Sequence, residues 1–397
     1  MIENIELDLT IDEKQYGTNI KLIGVGGAGG NAVNAMINNN LKGVEYIVAN
    51  TNINDLRHSK AKLRIQLGKK LTGGQGAGAN PEIGEKAATE SLDDIKSYIE
   101  DANMLFIAAG MGGGTGTGAS PIIAKLAKEM NILTVGIVNT PFNSEGTKRA
   151  KNAEDGIKLL KENVDTLIVV PNEKLRENTN NMTFLGAFEK ANNILYKATK
   201  AIADIIHTTG HINVDFADIK TIIENRGLAM IGTGSGDGDE RAKNAVNKAI
   251  NNPLLEDISI QNAEGVLVNI TAGKDFKMDE YDEITRLVVE KSGNAGDIIH
   301  GIVIDEKMEG KIKVTLIATG LEDPSNNKKI ANDIDDITTE FGNFESKQNK
   351  NDDEMSRTLG IIKENENLQI SQNLNRSLGN SDEQQLEVPA FLRSNNN

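Results

Sequence analysis

Glycine clusters in two loops of this chain, Gly24-Val25-Gly26-Gly27-Ala28-Gly29-Gly30-Asn31 and Gly112-Gly113-Gly114-Thr115-Gly116-Thr117-Gly118, and each loop follows an apolar run and leads into a helical pattern. Glycine permits positive backbone torsions and close approach. Successive peptide N–H groups can therefore converge on an anion, and the following helix adds the positive end of its dipole. The pair reads as one phosphate cradle built from two sides, with a nucleotide as the expected ligand.

The runs around these loops set the fold class. Ile20 to Val25, Val44 to Ala49, Met104 to Ala109, Ile132 to Val138 and Leu167 to Val170 are short and apolar, and helical patterns begin between them near Ala28, Pro81, Gly116 and Glu145. That alternation predicts an α/β, doubly wound parallel sheet. Ligands of such sheets bind at the carboxyl ends of strands, where both glycine loops fall. Next, Leu185, Phe188, Ala191, Leu195, Ala198, Ile202 and Ile205 recur every three or four residues. The stripe predicts a long core helix, a spine between two halves. From about Gly227 to Gly320 a smaller α+β unit is expected, with strands at Gly265 to Ala272, Asp297 to Ile304 and Lys311 to Ala318 and helices around Glu240 to Ile250 and Met278 to Val289. In the last strand Ile312, Val314 and Leu316 alternate with Lys311, Lys313 and Thr315, which predicts one buried and one wet face.

The expected organisation is a flexible segment over 1–18, a nucleotide-binding domain over 19–182, a central helix and loop over 183–226, the second domain over 227–320, a disordered linker over 321–385 and a terminal peptide over 386–397. A hydrophobic content of 38% in 397 residues suffices for real cores. The net charge of -15 argues against nucleic acid as a partner. Cysteine is absent, which excludes disulfides and thiolate metal sites. No secretory signal pattern and no apolar run of bilayer-spanning length stands out, so a cytoplasmic location is expected. After about Pro324, apolar residues are too sparse to offset ordering entropy. The last stretch, Leu386-Glu387-Val388-Pro389-Ala390-Phe391-Leu392-Arg393, restores hydrophobicity abruptly. It is a candidate docking peptide beside the plainer reading of an inert chain end.

Taken alone, Gly24, Gly26 and Gly29 also satisfy the dinucleotide pattern of a nicotinamide-dependent oxidoreductase. That reading requires an acidic residue at the end of the second strand, where this chain has Asn50-Thr51-Asn52. A P-loop is also excluded, because neither loop ends in Gly-Lys-Ser/Thr. Phosphate charge must then be met by backbone amides, helix dipoles and a metal ion.

The second glycine loop, between Ile107-Ala108-Ala109 and Ala119-Ser120-Pro121-Ile122, resembles the tubulin signature. Gly76-Ala77-Gly78-Ala79-Asn80-Pro81, Pro141-Phe142-Asn143, Val170-Pro171-Asn172-Glu173-Lys174-Leu175 and Asn213-Val214-Asp215-Phe216-Ala217-Asp218 extend the likeness. Over about residues 19 to 320 and the terminal peptide, the chain is similar to the FtsZ family of bacterial tubulin-like division proteins. The resemblance implies a tubulin-like fold and a GTPase that converts GTP to GDP and phosphate, polymerising head to tail into the cytokinetic ring at midcell beneath the inner membrane.

By the same resemblance, Gly27, Ala28, Gly29, Gly30 and Asn31, then Ala77, Gly78 and Ala79, then Gly114, Thr115 and Gly116 surround the phosphates, mostly through backbone. Glu145 and Arg149 match contacts to ribose and phosphates, although their spacing alone fits an exposed i,i+4 pair. Asn172, Phe188 and Asn192 match positions around ribose and guanine; Phe188 also lies on the apolar stripe. Many relatives carry Asp at the position of Asn192, which pairs with two guanine N–H groups where Asn offers one carbonyl. Asn213, Asp215 and Asp218 match the catalytic loop that enters the neighbouring subunit's pocket, although two acids here also suit an ordinary first helical turn. Mg2+ is implied as bound mainly through phosphates and water, with no protein metal ligand, and His207 and His211 are given no chemistry. Asn52 stands where the family usually has Asp. Leu386, Val388, Phe391, Leu392 and Arg393 match the tail that docks membrane-tethering partners of the FtsA or ZipA kind. A linker of about sixty residues gives that tail a reach of roughly 40 to 47 Å. A tubulin-like scaffold that binds GTP without turning it over stays open beside the GTPase.

Overall fold

Both faces of β1 (Ile20–Val25) and β4 (Met104–Gly110) are buried, as expected of apolar runs without polar alternation. The computed structural model describes residues 18–177, 183–207, 212, 214–251, 260, 261, 263–293 and 295–321. The amino-terminal segment, the linker and the terminal peptide with Leu386, Val388, Phe391, Leu392 and Arg393 lie outside them, as do Asn213 and His211. The other strands are β2 (Glu45–Asn50), β3 (Leu63–Gln66), β5 (Leu133–Thr140), β6 (Thr166–Pro171), β7 (Gly227–Asp237), β8 (Gly265–Ala272), β9 (Asp297–Ile304) and β10 (Lys311–Thr319). They form one sheet in the order β3-β2-β1-β4-β5-β6-β7-β10-β8-β9. β1 to β6 are parallel throughout, β7 continues parallel on β6, and β10 runs antiparallel between β7 and β8.

The first helices are α1 (Gly26–Asn38), α2 (Ile53–His58), α3 (Lys69–Thr72), α4 (Pro81–Glu90), α5 (Leu92–Ile99), α6 (Thr115–Glu129), α7 (Thr147–Asn163) and α8 (Asn172–Glu177). They are followed by α9 (Phe184–His207), α10 (Phe216–Ile223), α11 (Arg241–Ile250) and α12 (Met278–Ser292). Side chains of α1, α9 and α10, among them Val33, Leu195 and Ile222, share one core with Leu22, Phe106 and Ile317 of the sheet. The opposite face of the parallel strands packs on α4 to α7 through Ala87, Ile95, Ile123 and Leu160. A third core lies between α11, α12 and the strands β7, β8 and β10. α9 packs on α1, β5 and β6, and α10 touches β5 and β8, so the two helices together, rather than α9 alone, join the two halves in one core.

Four details depart from the sequence reading. β7 extends well beyond its short apolar run, Leu228 to Ile231, because Gly232, Gly234 and Gly236 take the inward positions of its second half; a Cβ there would lie 1.9 to 2.0 Å from backbone oxygens of α11, so small residues let helix and strand touch. β3, a four-residue edge strand, was also too short to read. Leu185 is 72% exposed, so the buried stripe begins after it. The second face of β10 is wet only near Lys311 and Lys313: Thr315 is buried, and Ile317 joins the core shared with α10.

Two ion clusters fasten the scaffold. Buried Lys21 at the start of β1 reaches Glu45 at 2.9 Å, Asp101 at 2.5 Å and the Tyr98 carbonyl at 2.8 Å. Buried Arg241 donates to both oxygens of Glu280, at 2.6 and 2.8 Å, and to Asp275. Those hydrogen bonds hold the Glu280 carboxyl below the usual carboxylate range.

Candidate functional site

At the carboxyl end of β1 the chain turns through Gly26, at φ +74°, directly into α1. The first turn of α1 lies so close to β4 that a Cβ on Gly29 would stand 2.3 Å from the Ala108 carbonyl oxygen. Beyond β4, Gly114 caps α6, and a Cβ on it would stand 2.9 Å from both Ala77 Cβ and Asn80 N. A Cβ on Gly26 would also stand 2.9 Å from Gly116 N, so the backbones of the first loop, the second loop and the Ala77–Asn80 turn are in close contact. A buried hydroxyl pair, Thr51 Oγ1 and Thr115 Oγ1 at 2.7 Å, ties the end of β2 to the same loop. Neither α1 nor α6 has a side-chain cap or an acidic residue in its first turn. Their leading N–H groups and dipole ends are therefore fitted to an anion rather than to the chain's own carboxylates.

The next strand ends supply a second wall. Asn139 in β5 donates from Nδ2 to Asn172 Oδ1 at 3.3 Å, and both side chains are buried. The Asn139 Oδ1 atom, equally buried, has no hydrogen-bond partner among the described residues. Phe142 meets Phe188 of α9 edge to face, with ring centroids 5.3 Å apart. Asn192, one turn further along α9, is half-buried. Glu145 accepts from the Phe142 N–H at 2.9 Å and from Arg149 Nη1 at 2.5 Å, so the i,i+4 pair exists. It stands beside the second loop, because a Cβ on Gly112 would lie 2.8 Å from the Arg149 carbonyl oxygen.

Sequence reasoning passed over three residues here. Asn139 carries the only kind of signal available, a polar side chain closing an apolar strand. Thr51 gave none, and Asp55 enters through Asn50, whose Nδ2 donates to Asp55 Oδ2 at 2.9 Å beside Gly27. Asn52 acts as the cap of α2, accepting from the Asn54 N–H at 2.9 Å.

Asp215 and Asp218 are not at this wall. They form a reciprocal capping box on α10: Asp215 Oδ1 accepts from Asp218 N–H at 2.8 Å, and Asp218 Oδ2 from Asp215 N–H at 3.1 Å. Both flanks of the segment are anchored at the amino edge of the parallel strands. Upstream, His207 Nε2 bonds the carbonyl of Gly43, before β2 begins. Downstream, the Ile223 carbonyl accepts from Thr166 Oγ1 at the first residue of β6, at 2.6 Å. From Phe188 to His207, α9 alone covers about 28 Å. One chain therefore keeps its acids apart from its own glycine loops.

Among the described residues no group of three or more His, Asp or Glu side chains is arranged to hold a metal ion, and no helix is long and apolar enough to cross a membrane. Residues 19–180 match the Tubulin/FtsZ family, GTPase domain, and residues 227–322 match the FtsZ family, C-terminal domain. The chain is 44% identical over 377 residues to the cell division protein FtsZ of Buchnera aphidicola subsp. Baizongia pistaciae, covering 94% of this chain and 96% of the relative. It is 50% identical over 303 residues to the cell division protein FtsZ of Pseudomonas aeruginosa, covering 76% of this chain and 77% of that one. Among solved structures, an empty FtsZ dimer from M. jannaschii superposes with a TM-score of 0.71 at 44% identity, over 77% of this chain and 89% of that chain. These matches set the oxidoreductase reading aside. With both family domains present in order, the chain belongs to the FtsZ family of tubulin-like cell-division GTPases.

Proposed function

We propose that GTP is cleaved at a site shared by two copies of the chain stacked head to tail. The observation that carries this reading is the separation just described: phosphate-binding loops at the carboxyl edge, acids tethered at the amino edge. Stacking brings the acids of one copy to the loops of the next. The dimeric M. jannaschii relative supports self-association.

In this reading the leading amides of α1 and α6 hold the phosphates, with Gly27 to Asn31, Ala77 to Ala79 and Gly114 to Gly116 in contact. Glu145 and Arg149 bind ribose and phosphate, Asn172 borders the ribose, Phe188 packs on guanine, and Asn192 accepts a base N–H through its carbonyl. No described side-chain group would hold a metal, and Mg2+, when bound with the nucleotide, would neutralise charge developing on the phosphates. Asp215 and Asp218 of the adjoining copy, with Asn213, orient and polarise a water in line with the γ-phosphorus. The bond from that phosphorus to the bridging oxygen breaks as the water oxygen attaches, leaving GDP and phosphate.

Hydrolysis then weakens the contact it was made in, so filaments of the division ring turn over beneath the inner membrane. Asp218→Ala tests the division of labour: GTP binding and sedimentable filaments persist while phosphate release falls. Wild-type release would remove Asp218 from the reaction. The terminal peptide recruits membrane-tethering division proteins of the FtsA or ZipA kind through Leu386, Val388, Phe391, Leu392 and Arg393. Deleting residues 386–397 abolishes anchor binding and spares GTPase activity; unchanged anchor affinity contradicts the assignment.

A further inference from the structure

β9 is the last strand of the sheet, hydrogen-bonded along one edge to β8. Its other edge receives an antiparallel bridge from the acid-bearing segment. Ile212 N–H donates to the Ile302 carbonyl at 3.3 Å, and Ile302 N–H donates back to the Ile212 carbonyl at 3.0 Å. Two residues further on, the buried side chain of Val214 lies over Gly301: a Cβ on that glycine would stand 2.9 Å from Val214 Cγ2 and 3.0 Å from Asn269 Oδ1. Gly301 is not among the positive-φ residues, so its backbone would accept alanine. What the position requires is empty space.

That space bears directly on the acids. Val214 precedes Asp215, the cap of α10, and its β-branched side chain has little rotamer freedom with which to yield. The far end of α10 is held by Thr166 Oγ1 on the Ile223 carbonyl and Thr319 Oγ1 on the Ile222 carbonyl, both at 2.6 Å. A push on Val214 therefore cannot be absorbed by sliding the helix; it displaces the Asp215–Asp218 capping box.

We infer that the Gly301-Ile302 edge of β9 is a positioning seat for the acid-bearing segment, with Gly301 admitting Val214 and Ile302 fixing its approach, so that Gly301 governs turnover without touching nucleotide. The inference rests on the proposed role of Asp215 and Asp218 in the adjoining copy's site. Its test is a mutant cycle in the full chain, comparing Gly301→Ala, Val214→Ala, the double variant and Asp218→Ala by phosphate release per assembled subunit, GTP affinity and Tm. Gly301→Ala is expected to lower turnover roughly tenfold, the scale of a small misplacement of reacting groups, with GTP affinity unchanged. Val214→Ala loosens the same contact and lowers turnover by less. The double variant, relieved of the collision, turns over faster than Gly301→Ala. A purely structural role would move Tm and turnover together and show no such recovery.

The seat is overturned if Asp218→Ala is inactive while Gly301→Ala keeps wild-type turnover, or if the double variant is no faster than Gly301→Ala. Should Gly301→Ala not fold, wild-type turnover in Val214→Ala overturns it equally. If Asp218→Ala itself turns over normally, the reading of the acids falls, and the seat's effect on turnover falls with it.

Discussion

The carboxyl edge of the parallel strands and the segment carrying Asp215 and Asp218 are built by opposite means. The first is made of backbone: glycines pressed so close that Gly29 has no room for a methyl group, uncapped helix ends, and a buried Asn139 with an oxygen left over. The second is made of side chains: exposed Asp215 and half-buried Asp218 occupied with each other's N–H groups and steadied by one β-bridge and one helix end. A rigid, finished surface suits binding, because its dipoles are oriented before the ligand arrives. The acids cap their own helix, away from the glycine loops of the same chain. On the proposed reading, neither edge is a whole site.

Variants should fall into separate classes if that contrast is right. The largest effect belongs to Asp218→Ala, where loss of a water-orienting carboxylate lowers turnover by about 10²-fold or more with GTP affinity intact. Weakened GTP binding in that variant would break the contrast at once. Gly29→Ala should do the reverse: its methyl group meets the Ala108 carbonyl at 2.3 Å, and the strain, about 1–3 kcal/mol, lowers Tm and GTP affinity together. Isothermal titration and thermal melts check both, and unchanged affinity would contradict the cradle. The smallest effect is expected of Asn139→Ala. Losing one acceptor for a nucleotide N–H or O–H costs about 1 kcal/mol, a several-fold rise in the GTP dissociation constant with kcat of saturated filaments unchanged. A rise confined to kcat would move Asn139 to the other class.

How much of this was legible follows the same divide. The parallel strands could be read because burial on both faces leaves unbroken runs such as Met104 to Ala109, and the glycine loops because at Gly26, Gly29, Gly114, Gly116 and Gly118 neighbouring atoms come too close for a side chain. The second half of β7 could not, since its inward positions are the glycines that let α11 lie against it, and an apolar-run criterion stops at Ile231. Asn139 left only a weak mark, one polar residue near the end of an apolar strand. Asp215 and Asp218 were visible as acids at a helix start, and their capping box is what that spacing dictates. Their remoteness from the glycine loops is a tertiary fact: it depends on α9 running from Phe142 to Gly43, which no local spacing encodes.

On the proposed reading, one copy holds the triphosphate and the next readies the attacking water. The sharpest test is phosphate release per subunit, measured beside sedimentation across a range of protein concentrations. The expected rate per subunit is low in the dilute monomer and climbs steeply once filaments sediment. Monomer that cleaves GTP as fast as the assembled form would contradict it.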